Sequence, residues 1–411
     1  MFRKEQDSVC RQGRLFAPSF PTSEHATTGR RLVAAGLFAG IGGIELGLSR
    51  SGHRTAVFSE IDPSASEVLK VRFPGIDNLG DIRALGSLPK EVDLITAGFP
   101  CQDLSQAGLT AGLSGNRSSL VDEIFRILRE QDIPWVLLEN VSFMLRLQKG
   151  EALGHVITFL ERLGYDWAYR VVDTRSAGLP QRRQRVYLLA SKDGDPRSVL
   201  LGDDAGPPQK EPPERWRDFA CGFYWTEGVK GLGWAIDAVP TLKAGSTVGI
   251  PSPPAVILPS GEVITPDIRD AERLQGFCQD WTKPAVNVAR PSLRWKLVGN
   301  SVSVPVAAWI GARLVEPAEY EPDNDQELVG DTWPIAAWGI KGKRYASTVS
   351  AWPMSKRRTH LASFLRHEGP PLSERATRGF LARTCKSGLR FPGGFLGLLE
   401  DHLRHVQTVG A

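Results

Sequence analysis

Cysteine is scarce in this sequence: five in 411 residues, at Cys10, Cys101, Cys221, Cys278 and Cys385. The number is odd, the positions are scattered, and no two have the spacing of a zinc site or a redox dithiol. A disulfide framework is therefore excluded from the reading, and a reducing cytoplasm is the expected home. No His, Cys, Asp and Glu cluster has metal-ligand spacing, so no metal is expected. No run of about 18 apolar residues stands out, so no membrane span is expected. The stretch from Met1 to Arg31 lacks the apolar core of a signal peptide. Internal repeats are missing too.

What is present is ordinary in amount and uneven in placement. Apolar residues make up 41% and charged residues 23%, as in a well-packed soluble protein of two or three globular units. The net charge is +4, yet residues 341–411 alone carry +9 and the rest −5. A basic end on a near-neutral body points to a polyanionic partner or, equally, to a solvated helical surface.

Residues 1–30 are polar and read as a disordered leader. From Arg31 short apolar runs alternate with amphipathic stretches, the pattern of an α/β sheet with mainly parallel strands. Strands are expected at Leu32 to Phe38, Ala56 to Glu60, Val92 to Ala97, Trp135 to Glu139, Tyr169 to Asp173 and Val186 to Ala190. Helices are expected at Ile44 to Arg50, Ser64 to Val71, Ser118 to Glu130 and Ala152 to Leu163. The body thus spans 31–190. Residues 191–270 form a loop-rich unit, with eleven prolines between 193 and 266. Residues 271–315 return to the first unit, 316–331 are an acidic linker with seven carboxylates, and 332–411 are a basic, helical extension.

Four strand ends carry the residue types that chemistry needs. Leu37-Phe38-Ala39-Gly40-Ile41-Gly42-Gly43 is a glycine turn between strand and helix, which lets backbone approach a ligand at the carboxyl edge of the sheet. Glu60 ends the next strand twenty residues later and suits the two hydroxyls of a ribose. Asp81 falls where a third strand would end. Together they indicate an adenosine-containing cofactor, although spacing alone does not separate a nicotinamide dinucleotide from S-adenosylmethionine. Cys101, in Gly98-Phe99-Pro100-Cys101-Gln102, sits on the loop leaving a strand, where a nucleophile belongs; a lone cysteine is otherwise a small buried apolar residue. Glu139 ends the strand Trp135 to Glu139, as a general acid or as a helix cap. In Gln181-Arg182-Arg183-Gln184-Arg185, alternation places Gln181, Arg183 and Arg185 on one face; guanidinium groups there favour a thiolate and bind carbonyl or phosphate oxygens. Arginines on a surface edge strand are the bland alternative.

In their order, these segments resemble the motifs of the DNA (cytosine-5) methyltransferases of the prokaryotic restriction-modification type. The resemblance runs from about Arg31 to Ile310 and includes Arg273-Leu274-Gln275-Gly276-Phe277 and Gly299-Asn300-Ser301-Val302-Ser303-Val304-Pro305. It implies a Rossmann-like methyltransferase sheet, a small target-recognition domain at the loop-rich unit, and the C-terminal extension outside the shared part. It implies S-adenosyl-L-methionine as cofactor, lined by Phe38, Gly40, Gly42, Gly43, Glu60, Ile61, Asp81, Ile82, Pro100, Asn300, Ser301 and Val302. Cys101 would attack carbon 6 of a cytosine rotated out of the duplex, with Glu139, Arg183 and Arg185 around the base. Gln102, Ser105, Gln181 and Thr241 (the last in the Pro240-Thr241-Leu242 core of the recognition region) would contact the DNA. The expected partners are double-stranded DNA and a cognate restriction endonuclease or other defence proteins, for a monomer acting in the cytoplasm. The sequence departs from the family at Leu104, Ala107, Cys278 and the segment 173–178, which touches the surroundings of the flipped base. Three other readings compete: cytosine methylation of a structured RNA, a DNA-binding relative without chemistry, and a nicotinamide-dependent oxidoreductase. The size of the recognition region, the intact Cys101, Glu139 and Arg185, and the lack of a third turn glycine speak against them in that order.

Overall fold

A computed structural model describes residues 30–99, 120–208, 213–245, 253–330 and 332–409. Its centre is a ten-stranded sheet. In chain order its strands are β1 (Val33–Leu37), β2 (Arg54–Ser59), β3 (Asp77–Asn78), β4 (Leu94–Gly98), β5 (Trp135–Val141), β6 (Asp166–Asp173), β8 (Gln184–Ser191), β14 (Gln326–Glu327), β15 (Ala336–Ile340) and β16 (Lys343–Ala346). They lie side by side as β14-β16-β15-β6-β8-β5-β4-β1-β2-β3. The half from β3 to β5 is parallel, as expected. Beyond β5 every pairing is antiparallel, which corrects the expectation of a mainly parallel sheet. Apolar runs mark a strand but carry no direction. The connection between strands sets direction, and β6 reaches β8 through residues 174–183, a 3-10 turn and the short segment Gln181–Arg182, rather than a crossover helix.

Four helices cover this sheet: α1 (Gly43–Ser49), α2 (Pro63–Arg72), α3 (Leu120–Glu130) and α4 (Glu151–Arg162). Helix α3 shows why such segments fold as they do. Val121, Ile124, Phe125 and Leu128 recur at helical spacing and are buried, while Arg126 faces Glu123 and Glu130 at 2.9 and 3.1 Å. One sheet face packs against α3 and α4. The other packs against α1 and a returning helix, Val304–Val315. The helical stretch Pro291–Val315 is long and apolar enough to cross a membrane by composition, but it is mostly buried in this core.

The loop-rich unit forms a second, antiparallel sheet in the order β10-β9-β12-β13, from β9 (Cys221–Phe223), β10 (Trp234–Ile236), β12 (Ala255–Ile257) and β13 (Val263–Ile264). A two-stranded ribbon of β7 (Gln181–Arg182) and β11 (Val239–Pro240) joins it to the first unit.

The C-terminal residues are not one helical appendage. The acidic linker ends in β14, and β15 and β16 extend the main sheet, with Ala336–Gly339 paired to residues 170–167 of β6. The chain then crosses to the loop-rich unit, where helices Glu374–Thr384 and Phe395–Val409 complete its core. Phe380, Phe395 and Leu399 are buried there with Trp216, Cys221 and Phe223. The basic side chains are partly spent on internal pairs: Arg344 with Glu161 at 2.6 Å and Arg358 with Asp237 at 2.8 Å.

Candidate functional site

At the carboxyl edge of the parallel half lies a cavity of about 900 Å³. The turn after β1 shapes one wall. Phe38 has φ 52° and Gly40 φ 55°, so this turn runs through the left-handed region, where a non-glycine residue is strained. A Cβ built on Gly40 meets no atom within 4 Å, because that position faces the open cavity. Glu60 holds the turn in place: its carboxylate accepts from the Gly40 N–H at 2.7 Å and the Asp62 N–H at 2.7 Å. Burial raises its pKa, and these two donors oppose the rise. Each Glu60 oxygen keeps a second lone pair for a ligand hydroxyl. Behind the turn, Trp281 Nε1 donates to the Ile41 carbonyl at 3.0 Å.

Next to Glu60, Ile61 is 64% exposed although apolar, a flat greasy wall at the cavity lip. Asp81 caps a short 3-10 turn beginning at Ile82 and pairs with Arg83, Nε to Oδ1 at 3.0 Å. The Arg83 partner holds the Asp81 pKa below the usual carboxylate range.

The opposite wall carries a buried charge pair. Glu139 stands beside Gly98 in the β4–β5 register, 7% exposed, with Arg185 Nε 3.1 Å from its Oε1. Burial pushes its pKa up, while Arg185 and Arg183 pull it down. Arg183 is fully enclosed, and burial together with Arg185 lowers its pKa to about 9. It donates to the carbonyls of Leu242 at 3.0 Å and Gly299 at 3.4 Å, and also to Ser301.

The cavity is thus lined by Phe38, Gly40, Glu60, Ile61, Asp81, Ile82, Glu139, Arg183, Arg185, Asn300 and Ser301 of the residues singled out from sequence. Others stand elsewhere. Gly42 packs against Phe73 and Gly43 against Val302, where a Cβ would lie 2.3 and 2.8 Å from those side chains; they let α1 dock. Gln181, expected at the DNA, is instead buried, bonding the Leu274 carbonyl at 2.8 Å and the Leu242 N–H at 3.0 Å. Thr241 donates to the Arg182 carbonyl at 2.8 Å and does not line the cavity. Pro100, Cys101, Gln102 and Ser105 lie outside the described residues. The sequence reading missed Lys296, which lines the cavity and pairs with Asp62 at 2.8 Å, and Asn140, whose amide donates to the Phe99 carbonyl at 3.0 Å. A lone lysine in a helix carries no signal of its own. Asn140 adjoins Glu139 at the same strand end, where its neighbour's carboxyl is the stronger signal. Among the described residues no group of three or more His, Cys, Asp or Glu is placed to hold a metal ion.

One cavity therefore offers, at one end, acceptors and an apolar wall suited to a nucleoside and, at the other, a carboxyl–guanidinium pair suited to a heterocycle with adjacent donors and acceptors. Known proteins agree. Residues 34–220 match the family profile described as C-5 cytosine-specific DNA methylase. The chain is 47% identical over 375 residues to the Type II methyltransferase M2.BsuMI of Bacillus subtilis (strain 168), across 89% of this chain and 96% of that protein. It is 31% identical over 295 residues to the Type II methyltransferase M.NgoBI of Neisseria gonorrhoeae, across 66% of this chain and 89% of that protein. By the likeness to M2.BsuMI, which spans most of both chains, this chain belongs to the C-5 cytosine-specific DNA methylases and is a DNA (cytosine-5-)-methyltransferase.

Proposed function

We propose that this enzyme uses S-adenosyl-L-methionine to methylate carbon 5 of a specific cytosine in double-stranded DNA, as the modification enzyme of a Type II restriction-modification system. It acts on DNA in the cytoplasm, beside a cognate endonuclease. The observation that carries this reading is a cavity lined by Glu60 and Asp81 at one end and Glu139 and Arg185 at the other.

Glu60 would hold the ribose hydroxyls, Ile61 and Ile82 would offer apolar surface to the adenine, and Asp81 would accept from the adenine amine in place of Arg83. When bound, S-adenosylmethionine supplies an electrophilic methyl group. The target cytosine must leave the stack to enter the cavity, since carbon 5 is out of reach inside a duplex. Cys101, three residues beyond the end of β4 in the sequence, attacks carbon 6 as thiolate. The new S–C6 bond pushes electrons toward carbon 5. Glu139, whose hold on a proton burial strengthens, serves in its protonated form as donor to ring nitrogen 3 and accepts from the exocyclic amine. Arg185 binds the carbonyl oxygen and holds Glu139 in line. Arg183 supports both from behind while tying the recognition unit to the site. Methyl transfer to carbon 5 would break the sulfonium S–CH3 bond and leave S-adenosylhomocysteine; loss of the carbon 5 proton to a base, with cleavage of the S–C6 bond, would then free Cys101.

The test is expression in a bacterial host free of cytosine methylation, followed by conversion sequencing of its genome. Wild-type protein should protect one short motif at high occupancy, and Cys101→Ser should protect none. A Cys101→Ser genome as protected as wild type would rule out the covalent route. No protected motif with wild type would rule out DNA as the substrate.

A further inference from the structure

Beneath the glycine turn lies a carboxyl that the reaction above leaves unused. Glu45 belongs to α1, but its side chain turns under β1 and β4 and is 2% exposed. Its Oε1 accepts from Thr96 Oγ1 at 2.6 Å, whereas Oε2 has no hydrogen-bond partner among the described residues. Gly36 makes room for it: a Cβ there would stand 2.5 Å from Oε1. Burial pushes the Glu45 pKa up to about 7, against the pull of Thr96. Burying a carboxyl with one oxygen unsatisfied is costly, and an apolar side chain of similar size would fill the space without that cost. Packing therefore does not account for it.

Glu45 lines a small recess of about 40 Å³ between the glycine turn and the segment Asn300–Val302. The recess shares Phe38, Gly40, Asn300 and Ser301 with the main cavity but none of the Glu60–Asp81 wall. It is roomy enough for a small polar group and too small for a ring system. The other carboxyl on it, Glu139, already has Arg185 at 3.1 Å. With the ribose on Glu60, the end of the cofactor left to reach the recess is the aminoacyl end, which carries a primary ammonium. That group offers three donors and a positive charge to an oxygen that has neither, in a site where burial strengthens the pair.

We propose that Glu45 accepts the α-ammonium of the bound cofactor and so sets how deeply its aminoacyl end sits. It is a positioning residue, and the proposal rests on the reading that the cavity holds S-adenosylmethionine. Calorimetry with two ligands tests it: S-adenosylhomocysteine, and the same thioether nucleoside with hydrogen in place of the ammonium. Wild type should bind the second ligand about 10- to 100-fold more weakly. Glu45→Gln should bind S-adenosylhomocysteine more weakly than wild type and distinguish little between the two ligands. Equal binding of both ligands by wild type overturns the proposal whether or not the variant folds, as does a Glu45→Gln protein that keeps the wild-type ratio. Failure of wild type to bind either ligand overturns the cofactor reading, and the proposal with it.

Discussion

Side chains that look alike in the sequence divide into two kinds in the structure. Arg183 and Arg185 are two residues apart, yet Arg183 spends its guanidinium on backbone carbonyls of Leu242, Gly299 and Ser301 while Arg185 meets Glu139. Alternation places Gln181 with them, and burial follows it: Gln181 and Arg183 are enclosed while Arg182 and Gln184 are exposed. What the segment does not disclose is that this face meets backbone of Leu242 and Leu274 from distant chain. Glu60, Glu139 and Asp81 are legible because each ends or follows a strand at the same sheet edge. Glu45 is not, because a carboxyl in the first turn of a helix is commonplace; only the gap at Gly36 shows that it points inward. Its raised pKa has a consequence for stability. The folded protein binds the Glu45 proton more tightly than the unfolded chain, so this residue lowers stability as pH rises from the unfolded carboxylate range through about 7. The loss reaches at most roughly 3 kcal/mol and then levels off. Measured without cofactor, Glu45→Gln should gain on wild type in melting midpoint between pH 5 and pH 8. A difference independent of pH would show that Glu45 does not titrate in that window.

Among elements, the parallel strands and the helices α1 to α4 are readable because each is a local apolar pattern with a turn signal at its end. The antiparallel return of β6 and β8 is not, since pairing partners depend on distant chain. The junction of the two units is equally hidden. Gly299 closes the helix Arg294–Asn300, and a Cβ there would stand 2.1 Å from the Lys243 carbonyl carbon. Backbone from the recognition unit therefore presses directly on the segment that carries Asn300 and Ser301 into the cavity. Rigid backbone on both sides leaves no cheap relaxation. Gly299→Ala should destabilise the protein by about 1–3 kcal/mol, the usual cost of forcing extra volume into a packed contact, and should slow methylation. An unchanged denaturation midpoint and rate would show that the junction yields freely.

At the scale of the whole molecule, the C-terminal residues 332–409 build both units instead of hanging from them. Residues 336–346 widen the catalytic sheet, and the last two helices bury Phe380 and Phe395 against Trp216 and Phe223. Composition reads this region as basic and helical; the charge is spread over both halves, but the long helices lie in the second half only. β15 and β16 are too short, and β16 too charged, to show a strand period. Phosphate binding by Arg358 is disfavoured by its pairing with Asp237. A cavity lies between the Glu60–Asp81 edge and the Glu139–Arg185 pair, and the central claim is that Cys101 completes it. The most direct measurement uses a duplex bearing 5-fluorocytosine at the target position of the motif found by sequencing. Fluorine in place of the carbon 5 proton blocks the final elimination, so the S–C6 bond should persist after methyl transfer. The account predicts a denaturation-resistant protein–DNA adduct, formed only with S-adenosylmethionine present and mapped by mass spectrometry to the peptide containing Cys101. An active enzyme that forms no adduct, or an adduct on another residue, would contradict it.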